Sequence, residues 1–233
     1  GTVDPVTRVQ IPALAPRNRF RFRHPGFLEK MKRPYVILNA AMTLDGKIAT
    51  VAGDSRISCP ADLDRLHRLR SQVDAVMVGA GTILADNPSL TVRRVEGKSP
   101  LRVVVDGRAR IPLNARVLKG GPPTIVAVSS SAPKGKVERL KKHAEVWSFR
   151  GRKIDLRELL KRLWERGVRK LLLEGGSTLN WHMIRDGLVD EIRVSISPRI
   201  VGGDSAKTLV GGEGFPKVSK GVVLRLVKIQ RVG

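Results

Sequence analysis

Ala75-Val76-Met77-Val78-Gly79-Ala80-Gly81-Thr82-Ile83-Leu84-Ala85-Asp86-Asn87-Pro88-Ser89-Leu90-Thr91-Val92-Arg93 is the stretch on which the reading of this chain turns. Its apolar opening, Ala75–Val78, reads as a buried strand, and Gly79 and Gly81 break it. Without Cβ atoms, those glycines let backbone N–H groups come close to a ligand. Thr82 is expected to cap a short helical turn whose first amides then face an anion. Asn87-Pro88 stops the turn, and Arg93 supplies a cation a few residues later. Strand, glycine break, helix start and arginine together describe a site for a phosphorylated small molecule. A glycine after a strand is by itself more often a plain turn. The dinucleotide fingerprint needs a third glycine that is missing here, so this is no Rossmann motif.

The 233 residues suffice for one large domain with a substantial core. A net charge of +23 raises nucleic acid as a partner, and acidic or phosphorylated small substrates as another. Aromatic residues make up only 4% and do not interleave with the basic ones, so a base-stacking platform is missing and nucleic acid is not expected as the main partner. Lys and Arg are scattered through nearly every segment, as on a solvated basic surface. The single cysteine, Cys59, excludes an internal disulfide and reads as structural. His24, His67, His143 and His182 show no metal-ligand spacing, so no metal is expected. With no membrane-length apolar run and no signal-peptide pattern, the expected setting is the cytoplasm, away from membranes.

Residues 1–30 are rich in Pro and Arg with little periodicity, and read as an extended basic arm outside the fold. Residues 31–233 read as a single domain. Strands are expected at Tyr35–Ala41, Ala75–Val78, Leu101–Val105, Thr124–Val128, Glu145–Phe149 and Val168–Leu173. Helices are expected at Pro60–Ser71, with Leu63, Leu66 and His67 on the inner face, and near Lys134–His143 and Asp155–Arg166, and Glu174-Gly175-Gly176-Ser177-Thr178 opens one that runs to about Asp186. After the last helix, Glu191–Ser197, the glycine-rich Val201–Gly214 and Val222–Gln230 read as strands. The expected class is α/β: a mixed, mostly parallel sheet flanked by helices, with antiparallel C-terminal strands.

Two further strings carry chemistry. Ala41-Met42-Thr43-Leu44-Asp45-Gly46-Lys47-Ile48-Ala49, closing at Gly53-Asp54-Ser55-Arg56-Ile57-Ser58, contains the turn signal Asp45-Gly46 in a loop long enough to serve as a lid. Leu171-Leu172-Leu173-Glu174-Gly175-Gly176-Ser177-Thr178-Leu179-Asn180 runs an apolar strand into two glycines and a helix start. That arrangement sets free amides and a partial positive charge against a pyrophosphate, unless Ser177 merely caps the helix. Glu174 either accepts hydrogen bonds from substrate hydroxyls or pairs with an arginine.

In this order the three strings resemble the reductase domain of riboflavin biosynthesis. The resemblance runs from about Pro34 to Gly233 and is carried by Ala41–Ser55, Gly79–Pro88 and Glu174–Gly176. It implies a dihydrofolate-reductase-like fold. It also implies an NADPH-dependent enzyme that reduces the ribosylamino group of a pyrimidinone 5′-phosphate to ribitylamino. No Cys/His zinc deaminase domain accompanies it. The chain therefore looks like the single-function archaeal or fungal form, acting on 2,5-diamino-6-ribosylamino-4(3H)-pyrimidinone 5′-phosphate. Position by position, the resemblance places cofactor contacts on Ala41, Thr82, Asp86, Gly107, Gly175, Gly176, Ser177 and Thr178. It places substrate contacts on Ser55, Arg70, Leu90, Arg93 and Glu174, and Ser55, Arg70 and Arg93 suit a phosphate chemically.

The strings hold no obvious general acid; Glu174, Asp45 and water are the candidates. NADPH is expected over NADH because Ser129, Ser130, Ser131 and Lys134 stand where a 2′-phosphate would seek donors. A homodimer is expected through Glu191–Ser197 and Val222–Gln230, which would otherwise leave a long apolar sheet edge. Two rival readings are a pteridine reductase of the same fold and a basic RNA-binding protein.

Overall fold

The structure, a computed structural model, describes residues 4–10 and 32–232. Nine strands form one sheet: β1 (Asp4–Gln10), β2 (Tyr35–Thr43), β3 (Ala75–Gly79), β4 (Leu101–Val105), β5 (Thr124–Ser129), β6 (Glu145–Phe149), β7 (Lys170–Leu173), β8 (Glu191–Ser197) and β9 (Arg225–Val232). Five helices connect them: α1 (Pro60–Ser71), α2 (Ala80–Asp86), α3 (Lys134–Lys141), α4 (Leu156–Glu165) and α5 (Ser177–Arg185). The strand order is β6-β5-β4-β3-β7-β2-β8-β1-β9. From β6 to β8 every neighbouring pair is parallel.

The parallel strands are apolar on both faces because helices cover both. On one face, Val36, Leu38, Met77, Val103 and Leu171 pack against Leu159, Leu160 and Leu163 of α4 and Met183 of α5. On the other, Ile37, Val76, Val78, Val104 and Val126 meet Leu69 of α1, Ile83 of α2 and Leu140 of α3. Helix α4 shows the local logic. Leu156, Leu159, Leu160 and Leu163 recur at helical spacing and are buried. The Asp155 side chain caps the helix by accepting from the amides of Arg157 and Glu158, at 2.9 and 3.2 Å.

Several expectations change. Asp4–Gln10 does not lie outside the fold: it enters the sheet as β1, antiparallel to both β8 and β9. The rest of the expected arm, residues 11–31, lies outside the described residues. The antiparallel ladders at the C-terminal end therefore exist, but β1 makes them; β8 itself runs parallel to β2. Val201–Gly214 is a loop and not a strand, apart from one bridge between Thr208 and Lys47. Its glycines adopt positive φ at Gly202, Gly203, Gly212 and Gly214, which no strand tolerates. Strand β7 starts two residues later than expected. The amides of Arg169 and Lys170 both donate to the Asp74 carboxylate at 2.8 Å, which holds the chain in a turn there.

Candidate active site

The strand order explains why three strings far apart in sequence form one site. They follow β2, β3 and β7, and β7 lies between the other two. All three strands run parallel, so the strings leave the sheet side by side at its C-terminal edge, where open α/β sheets bind ligands.

The glycine strings are bonded to each other. The Gly79 amide donates to the Gly175 carbonyl at 2.8 Å, and the Glu174 amide donates to the Met77 carbonyl at 2.9 Å. Gly79 is the N-cap residue of α2 and Gly176 that of α5, and no side chain caps either helix. Thr82 is therefore not the cap expected for it; it sits in the first turn of α2. Its hydroxyl lies over Gly176, where an added Cβ would come within 3.3 Å of Oγ1, a tight approach. The peptide bond between Gly175 and Gly176 is cis. First-turn amides of Gly81, Thr82, Ser177 and Thr178 have no partner within their own helices. A Cβ at Gly81 would meet nothing within 4 Å. Two uncapped helix starts, with open space over Gly81, fit the pyrophosphate of a dinucleotide. Ala41 lies beside them on β2, half-buried and in register with Ser195. Gly107, after β4, is set to one side; its carbonyl accepts from the Ser129 hydroxyl at 2.6 Å and amide at 3.1 Å.

The lid is braced from behind. Leu44 and Ile48 donate to the carbonyls of Arg199 and Lys207, both at 2.8 Å, and the Asp45 carboxylate accepts from the Gly202 amide at 2.8 Å. Asp45 also accepts from the Thr43 hydroxyl at 2.6 Å. These bonds, the Thr43 hydroxyl first, hold its carboxyl below the usual range. Asp45 thus pins the lid and is a poor proton donor at neutral pH. At the lid's far end the Ser55 hydroxyl donates to Asp86 at 2.7 Å, which ties together a residue expected to touch substrate and one expected to touch cofactor.

Arg70 and Glu174, both expected to meet substrate, meet each other. The guanidinium Nε and Nη2 donate to Oε1 and Oε2 at 2.8 and 2.7 Å, and Nη1 donates to the Thr91 carbonyl at 3.1 Å. The pair is largely buried. Arg70 is a brace for residues 90–93 more than a hand for phosphate, and both Glu174 oxygens act as acceptors. Leu90 has a positive φ of 55° and a buried side chain, so only its backbone faces the site. Arg93 is different. It is exposed, its Nη1 donates to the Ser89 hydroxyl at 2.8 Å, and among the described residues it has no carboxylate partner. Desolvation, then the neighbouring cations Arg70, Arg116 and Arg94, lower its pKa. A crowd of arginines around one unpaired guanidinium is a place for an anion.

The sequence reading missed Ser89 and His67 as site residues. His67 lies three residues before Arg70 on the same face of α1, a spacing that already placed it beside an arginine of the site. Among the described residues no group of His, Cys, Asp and Glu could hold a metal, and no helix is long and apolar enough to cross a membrane.

Residues 34–233 match the family model described as the RibD C-terminal domain. A 2,5-diamino-6-ribosylamino-4(3H)-pyrimidinone 5′-phosphate reductase from Methanothermobacter thermautotrophicus is 54% identical over 204 residues, which cover 86% of this chain and 94% of that protein. The riboflavin biosynthesis protein RibD of Actinobacillus pleuropneumoniae is 38% identical, and the match covers 87% of this chain but only 55% of the relative. Among solved structures, a deaminase/reductase from Thermotoga maritima superposes with a TM-score of 0.68 at 32% identity, over 82% of this chain and 52% of that one. The Saccharomyces riboflavin biosynthesis reductase Rib7 shares the fold, with a TM-score of 0.64 over 82% of this chain and 89% of its own. With its strings converging as that fold requires, the chain belongs to the RibD C-terminal domain family, the reductases of riboflavin biosynthesis.

Proposed function

We propose that this protein reduces the ribosylamino side chain of 2,5-diamino-6-ribosylamino-4(3H)-pyrimidinone 5′-phosphate to the ribitylamino form, with NADPH as reductant. The observation that carries the substrate half is Arg93: an exposed guanidinium without a carboxylate, backed by other arginines and steadied by Ser89. A pteridine ring carries no phosphate for that arginine to bind. Charge-driven RNA binding would leave the paired glycine strings without a purpose.

A bound nicotinamide cofactor supplies the hydride. The protein's part is placement. The amides of Gly81, Thr82, Ser177 and Thr178 would hold the pyrophosphate, with Ala41 and Asp86 bordering the cofactor and Gly107 at its flank. Arg93 and Ser89 would hold the 5′-phosphate, with Ser55 and the Leu90 backbone beside it. Glu174, kept in place by Arg70, would accept hydrogen bonds from the substrate's sugar hydroxyls. When the sugar opens to the imine, C1′ receives the hydride and the nitrogen receives a proton. Asp45 is held ionised and Glu174 is an acceptor twice over, which leaves water as the proton source.

Support for NADPH over NADH lies in cations more than hydroxyls. The Ser129 hydroxyl is bonded to Gly107, and that of Ser130 is bonded to both the amide and the carbonyl of Gly151. The same bonds bring the 150–153 loop to the end of β5. Exposed Lys134, Arg150 and Arg152 there form no ion pair among the described residues, and suit a 2′-phosphate.

A homodimer would form at β9. Strand β8 is interior, so the exposed edge belongs to β9, where Leu226, Val227 and Ile229 are 56%, 43% and 61% exposed. Light scattering at micromolar concentration should give twice the chain mass. The reaction is tested by following NADPH oxidation with the pyrimidinone phosphate, with dihydrofolate and with neither. Turnover is expected with the first alone.

A further inference from the structure

We propose that His67 is a positioning residue for the substrate phosphate: it holds the backbone that carries Arg93 at a fixed distance from α1. This rests on the reading of Arg93 given above. The segment from Ser89 to Arg93 has no regular secondary structure, so the direction of the Arg93 side chain depends on how the backbone is tied down. Several ties are present. The Leu90 side chain is buried, the Thr91 carbonyl accepts from Arg70, the Val92 amide donates to the Ser99 hydroxyl at 2.9 Å, and the Arg93 amide donates to His67 Nδ1 at 3.1 Å. The last tie acts on Arg93 itself.

His67 and Arg70 are one helical turn apart on α1, so one rigid element sets the distance from Glu174 through Arg70 to Arg93. His67 is only 2% exposed. Accepting at Nδ1 requires the neutral ring with its proton on Nε2. Its surroundings enforce that state. Burial first, then the cations of Arg70 and Arg93, push its pKa down to about 4; Glu174 acts weakly the other way and Arg94 adds to the fall. Were the ring protonated, its acceptor would be lost and a further cation would stand among the arginines that await the phosphate.

His67→Leu removes the acceptor at similar volume, and His67→Asn places an amide oxygen near the position of Nδ1. The loss of one buried hydrogen bond should raise the substrate KM about tenfold in His67→Leu, with the KM for NADPH unchanged and His67→Asn close to wild type. Ribose 5-phosphate, measured by calorimetry without turnover, should bind about tenfold more weakly to His67→Leu and normally to His67→Asn. The inference is overturned if His67→Leu loses thermal stability while binding ribose 5-phosphate as well as wild type. It is equally overturned if NADPH and substrate weaken together, or if His67→Asn behaves like His67→Leu. A wild-type protein that binds ribose 5-phosphate in this His67-dependent way yet oxidises no NADPH would keep this inference and remove the proposed reaction. Turnover that is indifferent to His67 would do the reverse.

Discussion

Replacing Arg93 by Ala is the sharpest test of how the site divides between substrate and cofactor. The guanidinium is exposed, bonded to the Ser89 hydroxyl at 2.8 Å, and surrounded by Arg70, Arg94 and Arg116. A charge-assisted hydrogen bond to a phosphate contributes about 1.5–3 kcal/mol, and solvent exposure places this one in the lower part of that range. About 2 kcal/mol corresponds to about a 30-fold rise in the substrate KM. The remaining arginines keep some attraction for the anion, so binding weakens without vanishing. Among the described residues no side chain forms an ion pair with the guanidinium, so the folded protein should keep its melting temperature. Arg93→Lys retains the charge but loses the two-pronged donor, and should fall between the two. Steady-state kinetics with NADPH saturating and the pyrimidinone phosphate varied gives the substrate KM; the converse experiment gives that for NADPH. An unchanged substrate KM together with a raised KM for NADPH would show that the assignment is reversed, with Arg93 facing the cofactor.

Three other outcomes follow from the geometry. An added Cβ at Gly212, whose φ is 89°, would overlap the Trp181 indole, so Gly212→Ala should destabilise the fold by about 2–4 kcal/mol in a denaturant titration, lowering the amount of active protein and leaving the substrate KM alone. His67 is held at a pKa of about 4 against an ordinary 6.5. An unfolded chain takes up that proton as pH drops below 6.5 and the native protein does not. Stability should therefore fall between pH 6.5 and 4 more steeply in wild type than in His67→Asn, with no difference in slope above that window. The double variant Arg150→Ala/Arg152→Ala should raise the KM for NADPH about three- to tenfold and leave that for NADH unchanged; equal effects on the two would remove these residues from 2′-phosphate recognition.

Much of this architecture was legible in the chain because its parallel strands and their helices follow strong local rules. Pro60–Ser71 begins with a proline at the first helical position and was placed to the residue. Leu101–Val105 and Glu145–Phe149 were likewise bounded by clear turn signals. What escaped depended on contacts between distant segments. Asp4–Gln10 looks like an arm because nothing local marks it as a strand; its partners, β8 and β9, are more than 180 residues away. The glycine-rich Val201–Gly214 reads as a strand in the sequence, although its glycines are what let it loop back and brace the lid through Lys47 and Gly46. The resemblance places both Arg70 and Glu174 against substrate, while the residues alone leave an arginine open as the partner of Glu174; the adjacency of α1 and β7 identifies that arginine as Arg70. Thr82 was read as a cap, whereas the sequence could not show that its hydroxyl would lie against Gly176.

The most direct test of the central claim is to follow the hydrogen itself. The protein would be incubated with 2,5-diamino-6-ribosylamino-4(3H)-pyrimidinone 5′-phosphate and NADPH bearing deuterium at its reactive carbon, and the product examined by mass spectrometry and NMR. The account predicts a ribitylamino product that has gained two hydrogens, with deuterium at C1′ and a solvent proton on nitrogen. Unchanged substrate, or a reduced product with no deuterium at C1′, would contradict it.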